Sequence, residues 1–298
     1  MPSSTPPPIV ELVSPPPTHA ASGAGKTSLV YLITALAILP RNIMSVSLGG
    51  HEAAVVLFDP LHHFNVARLA QLAFHLVRSR TRASNPAVVD DGTANPEIKA
   101  IVKRALPHVH IFRPRTWPSL LDTLRSLPAY LFHQTATQHQ SIHRRIHALI
   151  LEDMDTFVPL IRSNMGTASW SSASSFPKPT NALPSASATL TFHLSNLSTL
   201  LDSAIVLTAH STTPTHYRPA LPTTWPRGST VTRLALRRVD VLKFAAESSV
   251  EDAEAEKAKR WEVASRARFE CWRVGLDARS SGGFVFRVGS AVDMERTR

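Results

Sequence analysis

The sequence predicts an α/β fold, in which a mostly parallel central sheet is flanked by helices and continued by an antiparallel extension near the C-terminus. Short apolar runs alternate along the chain with longer segments of helical periodicity, which is typical of parallel strands joined by crossover helices. The run at 53–58 is apolar throughout, as expected for a strand that is covered on both faces. A Gly-rich loop stands between the first apolar run and the first helical segment.

The composition fits one globular domain with a sizeable core. The chain has 298 residues, of which 43% are hydrophobic and 18% are charged, and chains of this length bury most of the surface that their unfolded state exposes. The single cysteine, Cys271, excludes an intramolecular disulfide framework and favours a reducing compartment. The expected divisions are a disordered tail at 1–8, one domain at 9–290 with mobile loops at 164–188 and 211–228 and a helical insertion at 245–267, and a second tail at 291–298.

The charge of the chain bears on its partners. Its formal net charge of +10 favours a polyanionic partner such as nucleic acid, and a solvated basic surface is the alternative. No basic segment followed by an apolar core opens the sequence, so we expect no signal peptide. The longest apolar run, 29–39, is too short to cross a bilayer and is stopped by Pro40, so we expect no membrane partner.

The individual elements follow from local patterns. Strands are predicted at 9–13, 53–58, 109–112, 147–151, 204–208, 231–241, 269–274 and 283–288. Helices are predicted at 28–39, 66–80, 117–130, 190–201 and 251–267. Helix 28–39 is apolar on almost every side, which indicates burial against the sheet, whereas helix 66–80 has one apolar face. The segment 81–95 is polar and is predicted to be a loop, and the last three strands are expected to form the antiparallel extension.

The Gly-rich loop has the pattern of a phosphate-binding P-loop. It lies between a predicted strand and a predicted helix, which is the context that the motif requires. Gly23 and Gly25 allow backbone N–H groups to turn towards an anion, Lys26 would reach the β- and γ-phosphates, and Thr27 would ligate Mg²⁺. The candidate nucleotide-binding residues are Ser22, Gly23, Ala24, Gly25, Lys26, Thr27 and Ser28. The implied cofactors are ATP and Mg²⁺, and an ordinary Gly-rich turn before a helix is the alternative.

A second motif supplies the acidic half of a nucleotide site. The apolar run 148–151 is followed directly by Glu152 and Asp153, which is the Walker-B pattern of a buried strand that ends at a carboxylate. Together with Thr27, these two acids are the candidate Mg²⁺ ligands. A buried strand that ends at a solvated acid is the alternative.

The order of these motifs resembles that of the RecA/RAD recombinases. The segments that carry the resemblance are 9–12 before the P-loop, 56–64, the Walker-B run 149–152, and 205–210. Within the family, the chain is similar to the recombinase paralogues of the X-ray-repair-cross-complementing type, because little sequence precedes the P-loop and because 59–64, 66–69, 217–219 and Trp225 match them. The resemblance implies a RecA-like ATPase core and a polar sensor at His210.

Several positions depart from the family pattern. The family's catalytic glutamate falls at Leu61, which cannot polarise water, and its sensor glutamine falls at His210. The Walker-B aspartate falls at Glu152, and the first glycine of the P-loop is Ala20. Because a general base contributes on the order of 10²–10⁴-fold to a rate, these changes predict ATP binding with weak or absent hydrolysis, at most a weak DNA-dependent ATPase.

The resemblance also implies DNA contact and protein partners. In the family, loops corresponding to 164–188 and 211–228 face DNA, and the second loop is a basic and aromatic mixture suited to phosphate contact and stacking. Its candidate DNA-binding residues are His216, Tyr217, Arg218, Trp225 and Arg227. A linker whose aromatic residues anchor it to the domain is the alternative.

The implied function is assistance to homologous-recombination repair of double-strand breaks and stalled forks. Other recombinase paralogues would be the partners in a hetero-oligomer, single-stranded or branched DNA the ligand, and the nucleus the location. A P-loop small-molecule kinase or another NTPase is one alternative, but a kinase needs a lid with several arginines, and no such cluster stands between the predicted helices. A non-catalytic scaffold with a vestigial P-loop is the other.

Overall fold

A computed structural model describes most of the chain. The described residues are 6–16, 25–43, 46–84, 94–132, 139–163, 182–213, 215–239, 267–275 and 283–295, with a few isolated positions between 249 and 261. The strands are β1 (Ile9–Ser14), β2 (Asn42–Ile43), β3 (Val46–Ser47), β4 (Ala54–Phe58), β5 (Val109–Phe112), β6 (Ile146–Leu151), β7 (Ala204–His210), β8 (Val231–Arg238), β9 (Arg268–Arg273), β10 (Phe284–Val288) and β11 (Val292–Glu295). The helices are α1 (Lys26–Ile38), α2 (Val66–Ser84), α3 (Ala94–Ala105), α4 (Trp117–Phe132), α5 (Phe157–Ser163) and α6 (Ala182–Leu201). None of the helices in these ranges is long and apolar enough to span a membrane.

The central sheet is α/β and mostly parallel, as predicted. Nine strands form it in the order β11-β10-β9-β8-β1-β7-β6-β4-β5. The six strands from β8 to β5 are parallel to one another, and β9, β10 and β11 continue the sheet in antiparallel fashion. The strands β2 and β3 form a separate two-stranded sheet.

Two helical layers cover the sheet. Side chains alternate across a strand, so Val55 and Leu57 of β4 pack with α1, α2 and α3, whereas Val56 and Phe58 pack with α4, α5 and α6. All four of these side chains are fully buried. Burial on both faces explains why β4 is apolar throughout rather than alternating.

Strand β8 differs from the prediction. It was expected in the antiparallel extension, but it pairs in parallel with β1 and only its other edge pairs antiparallel with β9. Two parallel strands of one sheet must be joined by a connection of a dozen residues or more. The long segment between β7 and β8 provides that length, so the chain returns to the far side of β1.

Three predicted loops or tails contain regular structure. Helix α3 lies partly in the predicted loop 81–95 and was not predicted beyond it, although Ile98, Val102 and Ala105 are buried at helical spacing. Helix α6 begins at Ala182, so the prediction of a loop was wrong for the last residues of 164–188. Strand β11 lies within the predicted tail 291–298, because Val292 is buried against the sheet.

Other predictions fall on residues that are not described. They include the tail before residue 6, the greater part of the loop at 164–188 and most of the insertion at 245–267. Within the P-loop, description begins at Gly25, so Ser22, Gly23 and Ala24 also lie outside the described residues.

Candidate functional site

The carboxyl ends of adjacent parallel strands bring polar residues together at one edge of the sheet. Strand β1 ends at Ser14 and β7 at His210, while β6 is followed by Glu152 and β4 by Asp59. Because these strands are parallel, their carboxyl ends share an edge, which is where open α/β sheets place ligands. Helix α1 begins at the same edge with Lys26.

Lys26 is enclosed at this edge. Its side chain is only 6% exposed, and its Nζ donates to Ser14 Oγ at 2.6 Å. The same Nζ lies 3.2 Å from His210 Nε2. Burial lowers the pKa of the Lys26 ammonium, while the negative charges of nearby carboxylates act in the opposite direction. A buried ammonium next to carboxylates at the ends of parallel strands is suited to bind an anion that is itself bound to a divalent cation.

The sensor candidate His210 contacts Lys26 directly. Its Nδ1 lies 3.0 Å from Asp155 Oδ2, and its backbone N donates to Asp155 Oδ1 at 3.1 Å. Burial alone would raise the pKa of Asp155, but the hydrogen bonds and charge of His210 outweigh it and the pKa is lowered. The two contacts of Asp155 therefore hold the ring with Nε2 towards Lys26.

Glu152 is a buried carboxyl without a partner. It is fully buried, and neither side-chain oxygen has a hydrogen-bond partner among the described residues. Burial, reinforced by the negative charges of Asp153 and Asp59, raises the pKa of Glu152 to about 8. The Thr27 hydroxyl acts in the opposite direction and lowers this pKa.

The surroundings of Glu152 fit a magnesium ion. An unpaired buried polar group costs about 1–3 kcal/mol or more when charged, and a divalent cation near the Thr27 hydroxyl would satisfy it. Hard oxygen donors from a hydroxyl and a carboxylate are those that Mg²⁺ prefers. Metal binding displaces a proton from its ligand, so a raised pKa does not prevent Glu152 from serving as one.

Asp153, the other predicted metal ligand, is engaged elsewhere. Its Oδ2 lies 2.9 Å from His63 Nδ1, and its backbone N donates to Thr208 Oγ1 at 2.9 Å. Asp153, Asp155 and His210 also place ligand atoms within 4.8 Å of one another. However, each of these three side chains already has a hydrogen-bond partner, in contrast to Glu152. The structure thus separates the two adjacent acids into different environments.

A cavity of about 340 Å³ opens above these residues. Its lining residues are Gly25, Lys26, Thr27, Ser28, His63, Asp153, His210 and Phe269. This volume lies within the range of small-molecule sites. The four described P-loop candidates therefore face one space together with the sensor candidate and Asp153.

The antiparallel extension packs closely against the predicted P-loop at Gly25. Gly25 has a φ of 82°, and a Cβ at this position would lie 2.9 Å from Phe286 Cζ and 3.0 Å from Phe269 Cγ. The two phenylalanine rings are stacked with centroids 5.3 Å apart. Both the backbone angle and the close rings require glycine here.

The predicted DNA-binding residues divide into two groups. His216, Arg218 and Arg227 are exposed on the loop after β7. Trp225 instead packs against the core under α6 and donates its Nε1 to Glu11 Oε1 at 2.7 Å, which favours the anchoring alternative for this residue.

The remaining candidate, Tyr217, lies between these two groups. It is half-buried, and its ring meets Trp272 edge-on with centroids 5.2 Å apart. A second cavity of about 560 Å³ is lined by Arg218, by Arg233 and by Arg162 at the end of α5. Arg162 was not identified from the sequence, because only the fold brings the end of α5 to this loop.

Glu11 supports a testable prediction about this anchor. Its side chain is 2% exposed and accepts from Arg233 Nε at 2.7 Å as well as from Trp225. Glu11→Gln should lower the free energy of unfolding by about 2 kcal/mol, because it weakens two hydrogen bonds to a buried charge. Urea denaturation would measure it. Glu270→Gln is the matched control: Glu270 also pairs with an arginine, Arg237, but both side chains are far more exposed, so a change within about 0.5 kcal/mol is expected. Equal effects of the two substitutions would contradict the prediction.

Three residues that the structure places at the site were not identified from the sequence. Ser14, Asp155 and Thr208 contact Lys26, His210 and Asp153, respectively. Each is a polar residue at or near the end of an apolar strand, which was the available signal. Their partners could not be found that way, since they come from other strands.

Comparison with known proteins adds no family to this geometry. No protein-family model matches the sequence, and no curated protein shows a significant match to it. What the site binds must therefore be inferred from the chemistry of its own residues.

Proposed function

We propose that this protein is an ATP-binding recombinase paralogue of the X-ray-repair-cross-complementing type, built on a RecA-like core. It assists homologous-recombination repair of double-strand breaks and stalled forks in the nucleus, as one subunit of a complex of paralogues. The observation that carries the nucleotide-binding part is that the buried Lys26 lines a cavity together with Thr27, and that both residues act on the charge of the fully buried Glu152 carboxyl, which has no hydrogen-bond partner among the described residues. Without a cation, this buried carboxyl would remain costly to bury.

Each residue has a distinct role in nucleotide binding. Lys26 exchanges its contacts with Ser14 and His210 for phosphate oxygens, and backbone N–H groups at the start of α1 add their dipole. Thr27 and Glu152 hold Mg²⁺, which neutralises charge on the phosphates. The topology supports a RecA-like arrangement, since β7 lies between β1 and β6 and so places His210 beside both motifs.

Slow turnover follows from the residue at the expected position of the catalytic base. Leu61 is 44% exposed and apolar, so it cannot accept a proton from water. The protein therefore acts mainly through the nucleotide-bound shape of its surface, with ATP held rather than rapidly spent.

DNA contact is assigned to the exposed basic residues rather than to the aromatic ones. Arg218 and Arg227 are free to approach phosphates, and Arg162 adds a third guanidinium near Arg218. The net charge of +10 gives the electrostatic attraction that single-stranded or branched DNA requires. Because Trp225 is tied to Glu11, it is not available to stack on a base.

Co-purification tests the proposal as a whole. A tagged copy of the full chain, isolated from nuclear extract with Mg-ATP present, should bring down recombinase paralogues, and removal of Mg²⁺ with EDTA should reduce their recovery several-fold. Lysates without the tagged chain give the background. Recovery of no paralogue, together with phosphotransfer from ATP to a small metabolite, would replace the proposal with a P-loop kinase. Equal recovery with and without nucleotide would indicate a scaffold.

A further inference from the structure

His63 is placed at the cavity by two anchored contacts. It lies in the loop between β4 and α2, where its backbone N donates to Asp59 Oδ1 at 2.8 Å. Asp59 is fully buried, and it also accepts from the backbone N of Phe64 at 3.2 Å. The side chain of His63 lines the same cavity as Lys26 and remains 57% exposed, so water can reach it.

The orientation of the imidazole ring is set by Asp153. His63 Nδ1 lies 2.9 Å from Asp153 Oδ2. Because a carboxylate can only accept a hydrogen bond, Nδ1 carries the proton in the neutral ring, and Nε2 is left with a free lone pair. Nε2 has no hydrogen-bond partner among the described residues. A base held by a carboxylate in this way has the arrangement of a general base and its orienting group.

The backbone is in the left-handed region at His62, next to His63, and at Asp153. His62 has a φ of 59° and Asp153 a φ of 49°. Left-handed conformations of residues other than glycine cost on the order of 1–3 kcal/mol, although aspartate and histidine accept them more readily than most residues do. Strain of this kind persists where surrounding contacts hold it, and it concentrates at functional sites. Here the two left-handed residues lie where the loop between β4 and α2 meets the end of β6, which is where His63 and Asp153 form their contact.

The other imidazole of the site is not free for the same role. His210 Nε2 lies 3.2 Å from Lys26 Nζ, and its Nδ1 is held by Asp155. Both of its ring nitrogens are therefore engaged. His63 also lines the cavity, its Nε2 is not held by any of the described residues, and it stands two positions after Leu61.

We propose that His63, oriented by Asp153, is the general base for the slow ATP hydrolysis expected of this site; this inference rests on the proposed function. Nε2 of His63 takes a proton from a water molecule, whose oxygen attacks the γ-phosphorus of ATP. The bond between that phosphorus and the bridging oxygen of ADP breaks, and the proton on His63 passes to the phosphate product. Asp153 acts through His63 and is a positioning residue. The histidine thereby replaces, from a different position, the base that Leu61 cannot provide.

Single-turnover hydrolysis of Mg-ATP by the full chain tests this role. His63→Asn retains an amide that can donate to Asp153 but removes Nε2, so the rate should fall by about 10²-fold or more, with the Kd for Mg-ATP changed less than about threefold. His62→Asn is the matched control, because His62 is exposed, lies in the same loop and does not line the cavity; its rate should equal that of the wild type. In His63→Ala, free imidazole should restore part of the rate, which a purely structural role would not allow.

The outcomes separate this inference from the function on which it rests. Binding of Mg-ATP with an unchanged rate in His63→Asn overturns the inference and leaves ATP binding in place. Binding with no hydrolysis by the wild type also overturns it. Failure of the wild type to bind Mg-ATP overturns both. Asp153→Asn should lower the rate at saturating Mg²⁺, and a variant that instead only requires more Mg²⁺ would show that Asp153 is a metal ligand and not a positioning residue.

Discussion

Replacing Lys26 with alanine is expected to weaken the binding of Mg-ATP at least 100-fold. The ammonium is the buried cation at the start of α1, and it would form charge-assisted hydrogen bonds with the phosphates. A 100-fold loss corresponds to about 2.7 kcal/mol, which is within the range for hydrogen bonds to a charged group. Titration of a fluorescent ATP analogue into the full chain, with Mg²⁺ present, measures the affinity.

The control for this substitution is Lys99→Ala. Lys99 is exposed on α3, which lies on the same face of the sheet as α1, and it does not line the cavity. Its affinity for Mg-ATP should equal that of the wild type. Lys26→Ala should remain folded, because the substitution removes a charge that is costly to bury. Equal affinity of Lys26→Ala and wild type would refute the assignment of the P-loop.

Replacing Glu152 with glutamine is expected to stabilise the free protein at alkaline pH. The folded protein raises the pKa of Glu152 from the ordinary 4.5 to about 8, so it binds this proton more tightly than the unfolded chain does. The contribution of the group to stability is therefore fully present below pH 4.5, decreases as the pH rises, and is lost by about pH 8. Glutamine has no such proton to release.

The size of this effect on stability follows from the shift in the pKa of Glu152. Between pH 5 and pH 8, the difference in unfolding free energy between Glu152→Gln and wild type should change in favour of the variant by about 3 kcal/mol. The difference isolates Glu152, because buried histidines such as His110, whose pKa burial lowers to about 4, make the same contribution in both proteins. Urea denaturation at several pH values measures it. Glu97→Gln, at an exposed position on α3, is the control and should show no such change.

The same substitution should also remove the dependence of ATP binding on Mg²⁺. With glutamine at 152, the affinity for ATP should become the same in Mg²⁺ and in EDTA, since a neutral amide is a poor ligand for the ion. A variant that is more stable at pH 8 and insensitive to Mg²⁺ would show that Glu152 is retained for binding and not for folding. A variant that keeps its dependence on Mg²⁺ would move the metal-ligand role to another residue.

The fold class and two parts of the site could be predicted from the sequence, because their signals are local. Strands β1, β4 and β6 are mostly apolar, and this pattern reflects burial on both faces. Lys26 and Glu152 are recognisable because each follows directly from a short motif next to such a strand. Helix α3 could also have been predicted from a local pattern, since Ile98 and Val102 have helical spacing. The polar residues before them obscured this pattern.

Only the tertiary structure decided which of these residues meet. Lys26 and His210 are 184 positions apart, and His63 and Asp153 are 90 apart. Their contacts depend on the order and register of the parallel strands, which place β7 between β1 and β6 and align the carboxyl ends of all three. Strand order arises from long crossover connections and from packing across whole layers, and no local pattern encodes it. For this reason the sequence by itself determined which polar residues follow the strands, whereas the fold paired Asp153 with an imidazole and left the Glu152 carboxyl without a hydrogen-bond partner among the described residues.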